Sequence, residues 1–351
     1  MSFFNRLSLD LPIIQAPMAG VSTPAMAVAV SNAGALGSIA VGATDAAGAD
    51  ALIRELESLT DRPFNVNLFV HATPQADARV EADWLDALAP TFRTFGANPP
   101  DGLQTIYRSF NDDDAMLRVL VERAPRVVSF HFGLPDPARV RALKGAGCLL
   151  IASATSPEEA RLCVEAGMDA VVAQGYEAGG HRGVFDPDGD DAQLGTLALT
   201  RLLVRSIDVP VVAAGGIMDG QGVRAALDLG AVAAQLGTAF IACPESAADA
   251  AYRAALDSGA AHHTTITRAI SGRPARCLRN RFTELAESLD TPIPAYPIAY
   301  DAGKALNAAA KAAGETGFGA QWAGQGAPLA RPMPAAELVA TLVRGMGLPN
   351  S

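Results

Sequence analysis

Eight short apolar segments, separated by stretches with helical periodicity, limit the folds open to this chain more than any other feature of its sequence. They cover residues 11–19, 36–42, 64–70, 126–133, 148–154, 169–175, 210–216 and 231–240. Strands that are apolar along nearly their whole length are typical of a parallel sheet buried under helices. A count of eight favours an α/β fold with a closed (β/α)8 TIM barrel over an open, doubly wound sheet.

The stretches between these segments carry the start signals of helices. Thr23 is suited to cap the helix that follows it, because Pro24 then occupies the first helical position. Residues 45–59 predict the next helix. Further along, Ser156 and Glu159 have the spacing of a capping box. We therefore expect helices to connect the strands.

Two segments, 72–110 and 244–317, are too long to be ordinary barrel loops. The second contains two predicted short strands, over 264–278 around Ser271-Gly272, and a predicted helix over 298–314. We expect both segments to form one smaller α+β substrate or cap domain over the barrel mouth. The last helix, at 334–347, is expected to return to the barrel wall. The predicted barrel domain comprises residues 1–71, 111–243 and 318–351.

The charge and the cysteine content argue against several classes of function. The chain of 351 residues has a formal net charge of −10 at pH 7 and a pI near 5.0, which disfavours nucleic acid or an anionic membrane as a partner. Four scattered cysteines without a CxxC pair indicate reduced thiols rather than a disulfide framework or a zinc site. Because neither a signal-peptide pattern nor a long apolar span is present, we expect a cytoplasmic protein.

Glycine-rich turns follow two neighbouring strands of the predicted barrel, at the end where TIM-barrel enzymes hold their active sites. Gly215 and Gly216 end the seventh barrel strand, and Gly237 and Thr238 stand in the eighth. Backbone N–H groups at such turns can bind phosphate, although one turn alone could be a mere tight connection. The two turns together predict a phosphate site. A glycine pattern beginning at Gly220 is only a weak dinucleotide fingerprint, since no acidic residue follows at the expected distance.

A histidine after the sixth strand is the best candidate for a general base. His181 stands in the run QGYEAGGHRG, behind two glycines. Its imidazole can be neutral near pH 7 and accept a proton. Glu177 is either the residue that orients His181 or a solvated loop charge, and His131 is either a cavity residue or a core residue. The remaining histidines are expected at the surface: His71, His262 and His263.

Four of the five tyrosines fall in the predicted cap domain, namely Tyr107, Tyr252, Tyr296 and Tyr300. Tyr296, Tyr300 and Lys304 are four residues apart, so they share one face of a helix. Phenol groups and an ammonium suit a small anionic substrate, while an amphipathic surface helix would show the same spacing. Trp322 is expected either to lie against a planar ring or to pack against its neighbours.

These residues occur within longer motifs. The motifs are PIIQAPMAG, FNVNLFV, VSFHFG, AQGYEAGGHRG, PVVAAGGI, QLGTAF, YPIAYDAGK and QWAGQG, and they run over nearly the whole chain. In these motifs the chain resembles the nitronate monooxygenases, formerly called 2-nitropropane dioxygenases, of the bacterial FMN-dependent class. The run QGxEAGGHxG with both glycine turns is specific to the superfamily, and YxxxYxxxK with QWAGQ indicates this class.

The resemblance implies a TIM barrel that holds FMN under a substrate domain, with His181 as the catalytic residue at the reactive face of the flavin. Including the two glycine turns, the residues expected to bind FMN are Pro17, Met18, Ala19, Asn67, Gln174, Gly179, Gly180, Gly215, Gly216, Gln235, Leu236, Gly237, Thr238 and Trp322. The residues implied to line the substrate cavity are Tyr107, His131, Tyr252, Tyr296, Tyr300 and Lys304.

The implied reaction is the oxidative denitrification of an alkyl nitronate with O2, which releases nitrite and a carbonyl compound. The flavin carries the electron chemistry, while the protein binds and orients. Propionate 3-nitronate is the expected substrate, and Lys304 with the tyrosines would hold its carboxylate. His181 would bind the nitronate or, with a neutral nitroalkane, remove the α-proton. A monomer or homodimer without a metal is expected.

Two other functions fit parts of the same pattern. A flavin-dependent enoyl-acyl-carrier-protein reductase shares the barrel and a similar EAGGH run, but it uses NAD(P)H and tends to carry Glu at the position of Gln174. A non-catalytic flavin- or phosphate-binding barrel would bind FMN tightly without turnover. The YxxxYxxxK motif disfavours the first, and a histidine and tyrosines converging on one cavity disfavour the second.

Overall fold

The computed structural model describes residues 9–347, and eight parallel strands form its centre. The strands in chain order are β1 (Ile13–Gln15), β2 (Gly37–Ala40), β3 (Phe64–Phe69), β4 (Val127–His131), β5 (Leu149–Ala154), β6 (Ala170–Gln174), the short β7 (Gly180–His181) outside the barrel, β8 (Val211–Ala214) and β9 (Ala233–Leu236). The barrel order is β1-β9-β8-β6-β5-β4-β3-β2. A parallel bridge between Ile14 and Leu36 brings the two end strands together. The predicted TIM barrel is confirmed.

Helices connect the barrel strands as predicted. The connecting helices are α1 (Pro24–Asn32), α2 (Ala46–Leu59), α3 (Ala78–Thr94), α4 (Asp114–Arg123), α5 (Pro137–Gly145), α6 (Pro157–Glu165), α7 (Thr196–Ser206) and α8 (Gly220–Asp228). After the last barrel strand come α9 (Thr238–Ile241), α10 (Ala250–Leu256), α11 (Arg281–Glu287), α12 (Ile298–Ala312) and α13 (Ala335–Met346). Short 3-10 turns lie at Phe110–Asp112, Gly259–His262 and Ala327–Leu329. Thr23 caps α1 as predicted, because its side chain accepts a hydrogen bond from Met26 N.

The predicted capping box of α6 is only half present. Ser156 Oγ accepts a hydrogen bond from Glu159 N, as expected. The Glu159 carboxylate instead accepts from Thr155 N and Oγ1 and from Phe185 N. The second half of the motif is therefore missing, because this carboxylate ties the start of α6 to the loop that follows β7.

A second, three-stranded sheet contains part of the candidate site. Strands β10 (Thr264–Thr267) and β11 (Ala275–Leu278) are antiparallel, as predicted for the segment around Ser271-Gly272. The other edge of β11 pairs with β7, so that Ala275 faces His181 in the register. The loop after β6 is thus anchored to the second insertion by backbone pairing, which the sequence did not reveal.

The two long insertions pack against each other. Trp84 and Phe92 on α3 lie in one apolar cluster with Phe282, Ile298 and Leu306 from the second insertion. These side chains are nearly inaccessible to solvent. Burial of large apolar side chains of this kind contributes about 1.5–3 kcal/mol each. The insertions therefore share a hydrophobic core of their own.

The last helix returns to the barrel wall, as predicted. A Cβ on Gly220 would lie 2.2 Å from Leu342 O and 2.5 Å from Met346 N, so α8 and α13 touch where this glycine stands. The glycine pattern at Gly220 is therefore explained by helix packing. The predicted barrel limits at residues 1 and 351 lie outside the described residues. Between residues 9 and 347, no helix has the length and apolar character needed to cross a membrane.

Candidate active site

A cavity of about 520 Å³ opens at the carboxyl ends of the barrel strands. Its lining includes every residue predicted to bind cofactor, to bind substrate or to act in catalysis, except Leu236. The volume falls in the range of small-molecule sites. The structure thus brings together residues as distant in the chain as Pro17 and Trp322. The individual roles stay predictions.

Leu236 does not line the cavity, unlike the other residues predicted to bind FMN. Its side chain is buried in an apolar cluster, because alternate residues of β9 point to opposite faces and Gln235 takes the cavity side. The strand is also shorter than predicted, since it ends at Leu236 rather than at residue 240. Gly237 leaves the extended conformation, and Thr238 begins α9.

One part of the cavity lining, which we call the floor, is formed at the ends of β8 and β9 by Gly215, Gly216, Gly237 and Thr238. Gly215 and Gly216 have φ values of +122° and +69°, which favour glycine. Gly237 has a φ of −107°, and a Cβ there would meet only Ala16 and Met18, at 3.4 and 3.6 Å. Among residues 9–347, no backbone hydrogen bond uses the N–H of these three glycines. Free donors and the missing side chain at Gly237 leave room for an anionic group.

Thr238 at the end of β9 and Gly179 on the loop after β6 both contact the loop that contains Trp322. Thr238 Oγ1 accepts a hydrogen bond from Gly324 N at 2.9 Å, so its own hydroxyl hydrogen remains available to a ligand. A Cβ on Gly179 would lie 2.4 Å from Gly324 N. The glycine at position 179 is therefore required by the close approach of two loops, independently of any cofactor.

His181 is held through both its main chain and its ring. Its carbonyl oxygen accepts hydrogen bonds from Gln174 Nε2 at 3.0 Å and from His131 Nε2 at 3.1 Å. Its ring Nε2 lies 2.9 Å from Ser271 Oγ. The ring centroid is 5.0 Å from that of Trp322. The imidazole is therefore fixed in the cavity wall.

The surroundings of His181 keep its ring neutral. Burial, with smaller contributions from the nearby His131 and from the positive charge of Arg273, lowers the pKa of His181 to about 3. The ring is then uncharged across the ordinary range of pH. It can accept a proton but gives no positive charge to the cavity.

Glu177 does not orient His181, and it is more than a solvated loop charge. Its two carboxylate oxygens accept hydrogen bonds from Thr196 N at 3.0 and 2.8 Å, and one also accepts from Thr196 Oγ1 at 2.8 Å. Thr196 begins α7, where an acidic group is favourable. Glu177 therefore ties the loop after β6 to the next helix.

His131 lines the cavity, but protein groups occupy both of its ring nitrogens. Nε2 lies 3.1 Å from His181 O, and Nδ1 lies 3.0 Å from Ser153 Oγ. Because a carbonyl oxygen only accepts, Nε2 carries the proton and Nδ1 accepts one from Ser153. Burial lowers the pKa of His131 to about 4. His131 therefore supports the main chain of His181 and leaves no ring nitrogen free for a substrate.

The prediction that His71 lies at the surface was wrong. Only 3% of this residue is exposed, and its ring centroid lies 5.0 Å from that of Tyr296. Burial, followed by the positive charge of Arg273, lowers the pKa of His71 to about 4. Phe132, after β4, and Tyr296, from the second insertion, pack against its ring. His262 and His263 are exposed, as predicted.

Tyrosines and a lysine form a second part of the lining, which we call the aromatic wall: Tyr107, Tyr296, Tyr300 and Lys304. Lys304 Nζ lies 4.8 Å from the ring centroid of Tyr107 and 5.4 Å from that of Tyr300. Burial raises the pKa of Tyr107 to about 12 and lowers the pKa of Lys304. Tyr252 also lines the cavity, but its hydroxyl donates to Trp322 O. The wall therefore presents phenol hydroxyls beside one ammonium.

Sequence reasoning missed three residues around His181. Phe132 has a φ of +77°, a strained value for a bulky residue, and its ring centroid lies 5.5 Å from that of His181. Arg273 is buried and lies 4.4 Å from the Phe132 ring centroid. Ser271 contacts His181 directly. The motif FHFG contains Phe132, but nothing in the sequence indicates that the turn at Ser271 reaches the site.

Known proteins similar to this chain share its length and fold. The family profile of nitronate monooxygenase matches residues 2–345. A nitronate monooxygenase of Paraburkholderia phytofirmans is 62% identical, and the match covers 96% of this chain and 93% of that protein. A nitronate monooxygenase of Pseudomonas aeruginosa is 58% identical, with 97% of both proteins covered.

Solved structures give the same relationship. A nitroalkane oxidase from Streptomyces ansochromogenes has a TM-score of 0.88 and 43% identity, with 96% of both chains covered. FabK from Thermotoga maritima is more distant, with a TM-score of 0.74, 30% identity, and coverage of 98% of this chain and 94% of that one. The family match, the close relatives and the shared barrel show that this chain is an oxidoreductase of the nitronate monooxygenase family.

Proposed function

We propose that this enzyme binds FMN and, with O2, converts alkyl nitronates to nitrite and a carbonyl compound, with propionate 3-nitronate as a substrate. One observation carries the proposal. A single cavity contains a floor of free main-chain donors, a neutral histidine, phenol hydroxyls and an ammonium. Nitronate oxidation itself follows from the family.

The floor fits the phosphate of FMN. The N–H groups of Gly215, Gly216 and Gly237 and the hydroxyl of Thr238 would hold it, because each is a donor without an acceptor among residues 9–347. The glycine pattern at Gly220 serves helix packing, so it offers no second nucleotide site and FMN is favoured over FAD. When bound, the flavin supplies the electron transfer between the nitronate and O2.

Side chains of the strand ends and the Trp322 loop would hold the flavin ring. Asn67 and Gln235 bring amide groups to the cavity, and Met18 and Trp322 bring apolar surface. Gln174 also lines the cavity, although its amide already bonds His181 O and Gly183 N. The proposed ring site therefore combines polar edges with apolar faces, as is usual for cofactor sites.

The substrate would bind between His181 and the aromatic wall. A nitronate needs no proton removed, so His181 only positions it. A neutral nitroalkane must first lose its α-proton, and the neutral ring of His181 is the base in reach of the cavity. Lys304, with the hydroxyls of Tyr107 and Tyr300, would bind the carboxylate of propionate 3-nitronate.

We further propose that segments 72–110 and 244–317 act as the substrate domain. Their shared core holds α12, which carries Tyr300 and Lys304. The second segment also carries β11, which pairs with β7 at His181. The enzyme would act in the cytoplasm as a monomer or homodimer.

The second candidate is a flavin-dependent enoyl-acyl-carrier-protein reductase, which shares the EAGGH run. Gln174 argues against it in this structure. Its Nε2 donates to His181 O, and its Oε1 accepts from Gly183 N at 2.7 Å. An ionised glutamate at this position only accepts, so it would lose the bond to His181.

Two measurements test the proposal. Heat-released flavin should be FMN by chromatography, and the purified enzyme should consume O2 with propionate 3-nitronate while nitrite accumulates. Under anaerobic conditions, NADH should leave the flavin absorbance unchanged. Recovery of FAD would contradict the cofactor assignment. Rapid bleaching by NADH without nitronate turnover would establish the reductase instead, and tight FMN without any turnover would indicate a binding protein.

A further inference from the structure

We propose that Ser271 is a positioning residue that fixes the tautomer of His181, so that Nδ1 is the proton-accepting atom in the cavity. The inference rests on the function proposed above and specifies the atom through which His181 acts. Ser271 lies in the turn between β10 and β11, 90 residues from His181, and is fully buried.

The direction of the hydrogen bonds around Ser271 follows from its neighbours. Ser271 Oγ lies 2.9 Å from His181 Nε2 and 3.3 Å from Arg273 O. A carbonyl oxygen can only accept, whereas His181 Nε2 can donate, so both contacts of Ser271 Oγ are satisfied when its single hydroxyl hydrogen is assigned to Arg273 O. A lone pair of the hydroxyl then faces His181 Nε2, which must be the donor.

A neutral imidazole carries hydrogen on one nitrogen only, so Nδ1 of His181 is left with its lone pair. The neutral state agrees with the burial of the ring and with the nearby guanidinium of Arg273. No acceptor or donor among residues 9–347 competes for this atom, and His181 lines the cavity. The lone pair is therefore available to a ligand.

His131 shows the same tautomer with a different outcome. Its Nε2 donates to His181 O, and its Nδ1 accepts from Ser153 Oγ, so both nitrogens are occupied. In each pair a buried serine lies beside a histidine. Only at His181 does the serine accept a hydrogen bond from Nε2, and this leaves the lone pair of Nδ1 available to the substrate.

The tautomer determines what His181 does in proton transfer. When a neutral nitroalkane reacts, its α-C–H bond breaks, the electron pair stays with the nitronate, and the proton forms a bond with His181 Nδ1. Nε2 keeps its hydrogen toward Ser271 throughout. A preformed nitronate has no proton to give, so its oxidation does not require a proton acceptor at Nδ1. Ser271 should therefore matter more for the neutral nitroalkane than for its nitronate.

The test compares Ser271→Ala with Ser31→Ala. Ser31 is also fully buried, and its hydroxyl donates to Pro63 O outside the cavity lining. The ¹⁵N signals of histidine in the flavin-loaded enzyme distinguish the tautomers, and the His181 signals are those absent from His181→Asn. We expect the Nε2–H form in the wild type and in Ser31→Ala. A mixture of both forms is expected in Ser271→Ala.

Kinetics give the second readout. In Ser271→Ala, kcat/KM for a neutral nitroalkane should fall about threefold to tenfold more than kcat/KM for its nitronate, the range expected for one lost neutral hydrogen bond. An Nδ1–H signal in the wild type, or an unchanged signal in Ser271→Ala, overturns the proposal. Equal losses on both substrates overturn it too. Absence of nitronate turnover in the wild type would defeat the proposed function alone, since the tautomer signal is read without turnover.

Discussion

The floor and the aromatic wall of the cavity are built in different ways. The floor consists of main chain at the ends of β8 and β9, with free N–H groups at Gly215, Gly216 and Gly237. The wall consists of side chains from the insertions, with Lys304 beside phenol rings. Main-chain donors are set by the barrel itself, whereas the wall depends on how the insertions pack.

This difference suggests a division of tasks. Donors fixed by a rigid barrel suit a group that every reaction cycle uses, such as a cofactor phosphate. Side chains on inserted segments suit the substrate, because they can change without disturbing the barrel. His181 is held by both the barrel and the second insertion, since Gln174 of β6 holds its main chain and Ser271, in the turn between β10 and β11, holds its ring.

The largest effect is expected where the two parts meet. In His181→Asn, activity on a neutral nitroalkane should fall about 10²–10⁴-fold, because the asparagine amide is not a usable base. The variant keeps a hydrogen-bond donor at this position. FMN and part of the nitronate activity should remain. Rates on both substrate forms, measured across pH, give the comparison. A variant that equals the wild type on both forms would make His181 a structural residue.

The second prediction concerns the main-chain donors of the floor, which are proposed to bind the phosphate. Gly216→Val puts a branched side chain at a φ of +69° and beside the proposed phosphate, so at least one charge-assisted hydrogen bond is lost. Such a loss costs about 1.5–3 kcal/mol, or roughly tenfold or more in FMN affinity. We expect a folded but largely colourless protein.

Gly147→Val is the control that shows the effect of backbone strain alone, without a change in the cavity. Gly147 has a φ of +92°, with nothing within 4 Å of a Cβ, and it does not line the cavity. This variant should lose some thermal stability yet keep its flavin absorbance. Full flavin occupancy in Gly216→Val, or equal flavin loss in both variants, would place the phosphate elsewhere.

The residues of the floor and of the wall were predictable from the sequence, but several contacts that hold the site together were not. Eight apolar segments predict the barrel, and barrel geometry then places Gly216 and Thr238 at one end of it. The positions of Ser271, His71 and Glu177 depend on contacts with residues outside their own strand, turn or loop. Local pattern contains no information about such contacts, so the burial of His71 and the true partner of Glu177 appeared only in the structure.

A smaller effect is expected from the wall. Lys304→Met keeps the length of the side chain but removes the ammonium that lies over Tyr107 and Tyr300. KM for propionate 3-nitronate should rise about threefold to tenfold, because Lys304 is only partly shielded from water. KM for propyl-1-nitronate, which has no carboxylate, should change little, and FMN content should not change. Equal increases for both nitronates would exclude Lys304 as the carboxylate ligand.

At His71, which packs against Tyr296 of the aromatic wall, the expected change is in stability rather than in activity. The main chain of Tyr107 approaches the ring of His71, but neither ring nitrogen makes a hydrogen bond of normal geometry. Burial lowers the pKa of His71 to about 4, below its value of 6.5 in an unfolded chain. Between these two values the unfolded chain binds the extra proton, so stability must fall as pH is lowered from 6.5 to 4. One such group contributes a slope of about 1.4 kcal/mol per pH unit within this window.

His71→Leu removes that slope and leaves no unpaired nitrogen, so its stability at pH 7 should equal or exceed that of the wild type. Urea unfolding at pH 7, 6 and 5 measures both quantities. Parallel pH dependences of the two proteins would show that His71 is protonated, or paired, in the native state.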